Sequence, residues 1–326
     1  MNKPVPMVKD LLTVAWEMPR VGFGEALAAL GAEDPRVVAL CADLTDSTKV
    51  AAFAEAFPDR FIEMGVAEQN MMGLAAGLAL SGKVSFAVSY AAFNPGRNWD
   101  QLRVSVCYSK ANVKIIGAHA GISVGPDGAT HQALEDVAIT RALPNLVVIV
   151  PTDIEETRKV IRAAAAYEGP VYIRFGRDKV ATVTLPETPF VIGKANILRA
   201  GKQVTICANG LLVYEALLAA EALAEEGIEA EVIAVPTVKP LDAETIVASA
   251  KKTGRVVTAE EAQINGGLGS AVAEVLGERH PVPLRRIGVL DSFGESGKPG
   301  ELMDKYGLRA KNIVKAVHEL LGVHHD

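Results

Sequence analysis

Between residues 24 and 177, short apolar runs take turns with alanine-rich helical stretches, and this alternation limits the available folds more than any other feature of the chain. VVALCADL, VSFAVSY, NVKIIGAH, LVVIVPTD and VYIRFGR are rich in Val, Ile and aromatic residues, as strands buried on both faces are. Among them lie GEALAALGAED, QNMMGLAAGLALSG and DIEETRKVIRAAAAYEG, each long enough for a helix. Parallel strands need a long crossover, and a helix is the usual one. The expected class is α/β, with a mostly parallel sheet flanked by helices.

The rhythm breaks at residues 181 to 195, ATVTLPETPFVIGKA, where two prolines and several β-branched residues mark a linker. It then restarts with QVTICANG, LLVYEALLAAEALAEEG, EAEVIAVPTVKPLD and RVVTAEEA. A chain of 326 residues also exceeds the length that one core usually serves. Two domains are expected, residues 1–187 and 196–326. In the second, NGGLGSAV carries Gly266, Gly267 and Gly269, but Val272 stands where a dinucleotide fingerprint needs its third glycine. That motif reads as a tight structural turn. The terminal His324 and His325 read as a frayed tail rather than a metal site.

Composition removes several classes of partner. The net charge is −6 and no Lys/Arg block occurs, so a nucleic-acid partner is not expected. Cys41, Cys107 and Cys207 lie far apart in apolar surroundings and read as buried thiols in a reducing compartment. MNKPVPMVKDLL has no uninterrupted apolar core of a leader, and no long uncharged apolar stretch follows. A cytoplasmic protein with no membrane partner is expected.

Chemistry concentrates in IIGAHAGISVGPDGATHQALED, residues 115 to 136. A strand runs into a loop with glycines at 117, 121, 125 and 128 that carries His119, Asp127 and His131. Loops at the carboxyl ends of parallel strands are where α/β proteins place ligands. A metal triad, a merely polar loop and a polar substrate pocket are all compatible with these residues. The pocket is favoured, because imidazoles and a carboxylate bind hydroxyls and move protons near neutral pH. A second point of interest is IEMGVAEQNMMG, where Glu68 sits among small and apolar residues. On its own it reads, with Glu63, as part of a solvated helix face.

The order GVAEQN, SFAVSYAAF, WDQLR, GAHAGISVGPDGATHQALED and PTD resembles the pyrimidine-binding domain of thiamine-diphosphate enzymes, specifically the transketolase family. MPRVGFGEALAAL and ADLTDST upstream, and VYIRFGR, TVKPLD, GGLGSAV and SGKPGELMDKYG downstream, extend the resemblance over nearly the whole chain. The resemblance implies transfer of a two-carbon ketol unit from a ketose phosphate to an aldose phosphate through thiamine diphosphate. It implies that Glu68 bonds N1′ of the cofactor's aminopyrimidine and so assists proton removal from the thiazolium. A desolvated carboxyl group holds a proton more readily, which suits that task. Glu63 keeps the solvated reading.

By the same resemblance His119 and His131 contact the donor's hydroxyls and carbonyl region, and Asp127 reads an acceptor hydroxyl. Arg20, Ser47 and Arg177 hold the sugar phosphate, for which guanidinium forks are well shaped. Tyr90 and Phe93, ahead of Phe86, are the rings expected around the pyrimidine. Asp43 supports the cofactor side, with a buried cap or turn residue as its alternative. Two departures from the family pattern stand out: NPGRNW is about one residue longer than usual, and Ala67 replaces an arginine.

The chain has no GDG motif, and no oxygen ligands for Mg²⁺ are identifiable in it. It therefore resembles the C-terminal half of a split transketolase. A separate N-terminal subunit is expected to bring the diphosphate and Mg²⁺ site, in an α2β2 assembly, with negligible activity for this chain alone. A 2-oxoacid dehydrogenase β subunit or a deoxyxylulose-phosphate synthase fragment shares the layout and stays as an alternative. So does a non-catalytic regulatory or binding subunit that has kept the fold.

Overall fold

The computed structural model describes residues 3–323 and contains two α/β sheets. The larger has seven strands in the order Thr237–Lys239, Val147–Ile149, Val171–Arg174, Val113–Ala118, Val84–Tyr90, Val37–Cys41 and Phe61–Glu63. All neighbours are parallel except the first pair. Both faces are covered, which is why its strands read as continuous apolar runs rather than alternating ones. One face packs Leu40, Ala87, Ile115 and Val148 against Met71, Met72, Ala75 and Ala76 of the helix Glu68–Leu80. The other packs Ala39, Phe86, Ile116 and Ile173 against Phe23 and Leu27 of the helix Pro19–Glu33 and Phe53 beyond it.

The smaller sheet has five strands in the order Leu284–Val289, Val256–Gln263, Val204–Ala208, Ala230–Ala234 and Asn196–Arg199. Only the last strand is antiparallel to its neighbour. The helices Leu212–Glu225 and Ala310–Leu321 bury their apolar faces on it. A two-stranded ribbon, Trp16–Glu17 with Val180–Ala181, lies between the sheets. Residues 5 to 14 follow the second core, with Val5 N–H donating to Ile197 O at 2.9 Å and Leu11 buried.

The two units share more than a linker. Thr237–Lys239 leaves the second unit to add to the first sheet, so that edge ends in a short three-residue strand. Buried Arg174 reaches Asp136 at 3.0 Å and donates to Glu261 O at 2.5 Å, while Tyr172 OH donates to Asp136 at 2.7 Å. The glycine motif is a structural turn. Glu260 Oε2 and Oε1 accept the N–H groups of Leu268 and Gly269 at 2.7 and 2.8 Å, so the chain's own carboxylate occupies the start of the helix Leu268–Arg279. A Cβ at Gly267 would come 2.0 Å from that carboxylate, which explains the glycine.

Cys41, Cys107 and Cys207 are free and buried. No described helix is long and apolar enough to cross a membrane. His324 and His325 lie outside the described residues.

Candidate active site

Five neighbouring strands of the large sheet release their carboxyl ends on one side, and the expected site residues stand there. Cys41 leads to Asp43 and Ser47, Glu63 to Glu68, Tyr90 to Phe93, Ala118 to His119, and Arg174 to Arg177. Parallel pairing brings together loops more than 130 positions apart, from Asp43 to Arg177, and the start of the helix Pro19–Glu33 adds Arg20.

Glu68 opens the helix Glu68–Leu80, with its side chain only 2% exposed. It is not on a wet face. Arg97 Nη1 donates to both of its oxygens at 3.1 Å, and Ser89 Oγ donates at 3.4 Å. Arg97 escaped the sequence reading. The available signal was general: a buried carboxylate requires a cation, and NPGRNW supplied one. Glu63 is exposed, in keeping with its solvated reading, but it is not helical. It ends a strand and accepts from Asp43 N–H at 2.7 Å, Thr45 Oγ1–H at 2.9 Å and Gly65 N–H at 3.0 Å, so it ties two site loops together.

Rings form a continuous wall. Tyr90 and Phe93 are stacked with centroids 6.2 Å apart, and His119 lies on Tyr90 at 4.0 Å. His131 stands edge-on to Phe93 at 5.3 Å, with Thr130 Oγ1 2.9 Å from its Nδ1. Phe86 does not join them. It lies four residues before Tyr90 on the same strand face, but fully buried with Phe23 and Val88 in the core, so it has no surface to offer a ligand. Asp43 is exposed at φ 58°, which removes the buried-cap alternative, and its backbone is held by Glu63.

His119 adopts φ 53°, in the left-handed region that a bulky residue rarely enters, and its ring is buried. Burial, followed by the charges of Arg20 and Arg177 and by His131, pushes its pKa down to about 3. The imidazole is therefore neutral near pH 7. Arg20 Nη1 lies 3.4 Å from Nε2 and can only donate, so the ring proton belongs on Nδ1. That Nδ1 is buried and has no hydrogen-bond partner within the protein.

Arg20 is braced by Ser47 O at 2.7 Å, so the backbone of Ser47 positions the guanidinium. Its buried Nε also lacks a partner. Burial and Arg177 lower the Arg20 pKa, the mark of two cations sharing one space. Both arginines line a cavity of about 260 Å³ with Met18, Ser123, Val124 and Asp178. Asp127, expected to read a hydroxyl, is the counter-ion of Arg177 at 2.9 Å. His119, Asp127 and His131 do not form a metal-holding group, and none is found among the described residues.

The second unit supports this loop. Glu261 Oε1 accepts Ser123 N–H at 2.6 Å, Gln132 Nε2 donates to Glu295 O at 2.9 Å, and Pro299 lies against Gly125. Gly121 and Gly128, both at positive φ, let the backbone pass where a Cβ would strike Glu261 and Ser296.

Residues 18–182 match the pyrimidine-binding domain of transketolase and residues 193–313 the transketolase C-terminal domain. The chain belongs to the transketolase family, whose members are transferases that use thiamine diphosphate. Within that family its similar proteins include subunits. A 6-deoxy-6-sulfo-D-fructose transketolase subunit of Clostridium sp. (strain MSTE9) is 49% identical over 298 residues, covering 91% of this chain and 92% of the relative. A putative transketolase C-terminal section of Methanocaldococcus jannaschii is 49% identical over 316 residues, 96% and 98% of the two chains. A solved structure described as a split gene transketolase, inactive beta4 tetramer, superposes with TM-score 0.88 at 50% identity, covering 94% of this chain and 99% of that one.

Proposed function

We propose that this chain is the C-terminal subunit of a two-chain transketolase that moves a two-carbon ketol unit between sugar phosphates and depends on a separate N-terminal subunit. The observation that carries the reading is the shared edge: a buried carboxylate, an aromatic wall and two arginines, with the polar atoms His119 Nδ1 and Arg20 Nε unpartnered. When bound, thiamine diphosphate supplies an electron sink for cleavage beside the ketose carbonyl.

The residues of this chain fit its aminopyrimidine end. Glu68 would accept the ring's protonated nitrogen, with Tyr90 and Phe93 beside the ring and Asp43 at its rim. Neutral His119 donates from Nδ1 to the donor's oxygen, and His131 approaches from the far side of Phe93. Arg20 and Arg177 hold the terminal phosphate, and Ser47 and Asp127 hold the arginines. Asp127 can still meet an acceptor hydroxyl through its second oxygen.

Mg²⁺ and the diphosphate arm are assigned to the N-terminal subunit, since no acidic metal group exists among the described residues. Apolar side chains around the Glu68 helix support coverage by other subunits: Val66 is 67% exposed, Leu80 66% and Tyr108 84%. An α2β2 assembly satisfies both needs. The relative described as an inactive beta4 tetramer supports self-association without activity. Three free, buried thiols support a reducing cytoplasmic location. Mixing the chain with its N-terminal subunit, thiamine diphosphate and Mg²⁺, and offering fructose 6-phosphate, 6-deoxy-6-sulfofructose or pyruvate as donor, tests the reading. Ketol transfer from a sugar is expected; turnover of pyruvate alone contradicts it.

A further inference from the structure

The proposed function asks two things of this chain at the aminopyrimidine, a carboxylate and an aromatic face, and one side chain already holds both. Arg97 Nη1 donates to both oxygens of Glu68 at 3.1 Å, and its guanidinium lies 4.1 Å over the Phe93 ring. Flat cations and flat heterocycles use the same ring face. They cannot use it together.

The two ends of this contact differ in freedom. The Glu68 side chain is 2% exposed, whereas that of Arg97 is 48% exposed. The backbone around Arg97 is fixed by two fully buried asparagines. Asn94 Nδ2 donates to Ala87 O and Ile116 O at 3.0 Å, and Asn98 Nδ2 donates to Asn94 Oδ1 at 2.9 Å and to Glu68 O at 3.3 Å. Arg97 can therefore leave by side-chain rotation, with no movement of the loop. Occupancy requires that it leave: the guanidinium takes both Glu68 oxygens and the face of Phe93 that the aminopyrimidine would use.

We propose that Arg97 is a displaceable counter-ion: it keeps Glu68 paired and Phe93 covered in the free subunit, and gives up both to the cofactor's aminopyrimidine. The proposal rests on the reading of this chain as a thiamine-diphosphate subunit. It makes Arg97 a positioning residue that gates the site, and it explains how a carboxylate needed for catalysis is tolerated in a subunit waiting for its partner.

The test uses the purified chain alone and 4-amino-2,5-dimethylpyrimidine, the cofactor's ring without its diphosphate arm, titrated by calorimetry. Arg97→Met is expected to bind this fragment about tenfold or more tighter than wild type, since it no longer competes with a charged contact of roughly that strength. Glu68→Gln in the Arg97→Met background should lose the gain. Arg97→Lys keeps the ion pair and the fold but loses the flat stack on Phe93, and should bind with an intermediate affinity. Thermal unfolding gives an independent reading: Arg97→Met should melt lower than wild type, and adding Glu68→Gln should restore much of the loss. Equal, weaker or absent fragment binding by Arg97→Met and Arg97→Lys would overturn the proposal. Failure of the transketolase reading would appear elsewhere, as no ketol transfer on mixing with the N-terminal subunit while the fragment results hold.

Discussion

At the scale of single residues, His119 joins two properties that are usually separate, a strained backbone and a neutral buried ring. Its pKa of about 3 lies below the unfolded value near 6.5, so below pH 6.5 the unfolded chain takes up a proton that the folded chain refuses. Stability from this group falls as pH drops from about 6.5 toward 3. His119→Asn should flatten the fall of melting temperature between pH 6.5 and 4, and should lower kcat of the assembled enzyme by about a hundredfold. A wild-type acid slope in the variant would show that the ring is not held neutral. Arg20→Lys and Arg177→Lys should raise KM for a phosphorylated donor by about tenfold each, because the fork is lost though the charge remains. An unchanged KM would place the phosphate elsewhere. Glu68, the histidines and the arginines were singled out through the ordered motifs of the family resemblance, which composition and periodicity alone do not supply. Arg97 and Glu63 were not, because their contacts join loops 29 and 20 positions apart in the chain. Phe86, ranked behind Tyr90 and Phe93 by the resemblance, lies in the sheet core, because the motif gives the segment and not the depth of each ring along the strand.

At the scale of elements, the site is a set of loop ends held by carboxylates. Glu63→Ala removes the acceptor of the exposed Asp43 and Gly65 N–H groups, which water can then satisfy, and should cost about 0.5–1.5 kcal/mol, read from denaturant unfolding. Asp153, the cap of the helix Ile154–Ala166, also accepts from Val183 and Thr184 N–H at 2.8 and 2.7 Å, which gives the PTD motif a structural task. Beside it, burial and then Asp153 raise the Glu156 pKa to about 7. The folded state thus binds this proton more tightly than the unfolded chain. Its stabilisation is full below about pH 4.5 and is lost as pH rises through 7. Glu156→Gln, which keeps the acceptor for Thr152 N–H, should raise the melting temperature more at pH 8 than at pH 5. An equal change at both would contradict it.

At the scale of the whole molecule, the alternation of strands and helices made both α/β sheets legible, since buried parallel strands leave apolar runs that no other class produces at that spacing. The strand Thr237–Lys239 was not legible, because pairing across units leaves no periodic trace in three residues. Nor was the bracing of the histidine loop by Glu261 and residues 295–299, a contact decided by packing of one unit on the other. If the exposed Leu80 and Tyr108 belong to the interface of the proposed assembly, Leu80→Asp together with Tyr108→Asp should shift the sedimentation of the purified chain toward the monomer. The most direct measurement is ketol transfer from fructose 6-phosphate to an aldose phosphate, by wild type and Glu68→Ala, each with and without the N-terminal subunit. Activity only for the wild-type mixture, with Glu68→Ala slower by about a hundredfold or more, is the predicted result. Robust turnover by the single chain, or an undiminished Glu68→Ala mixture, would contradict it.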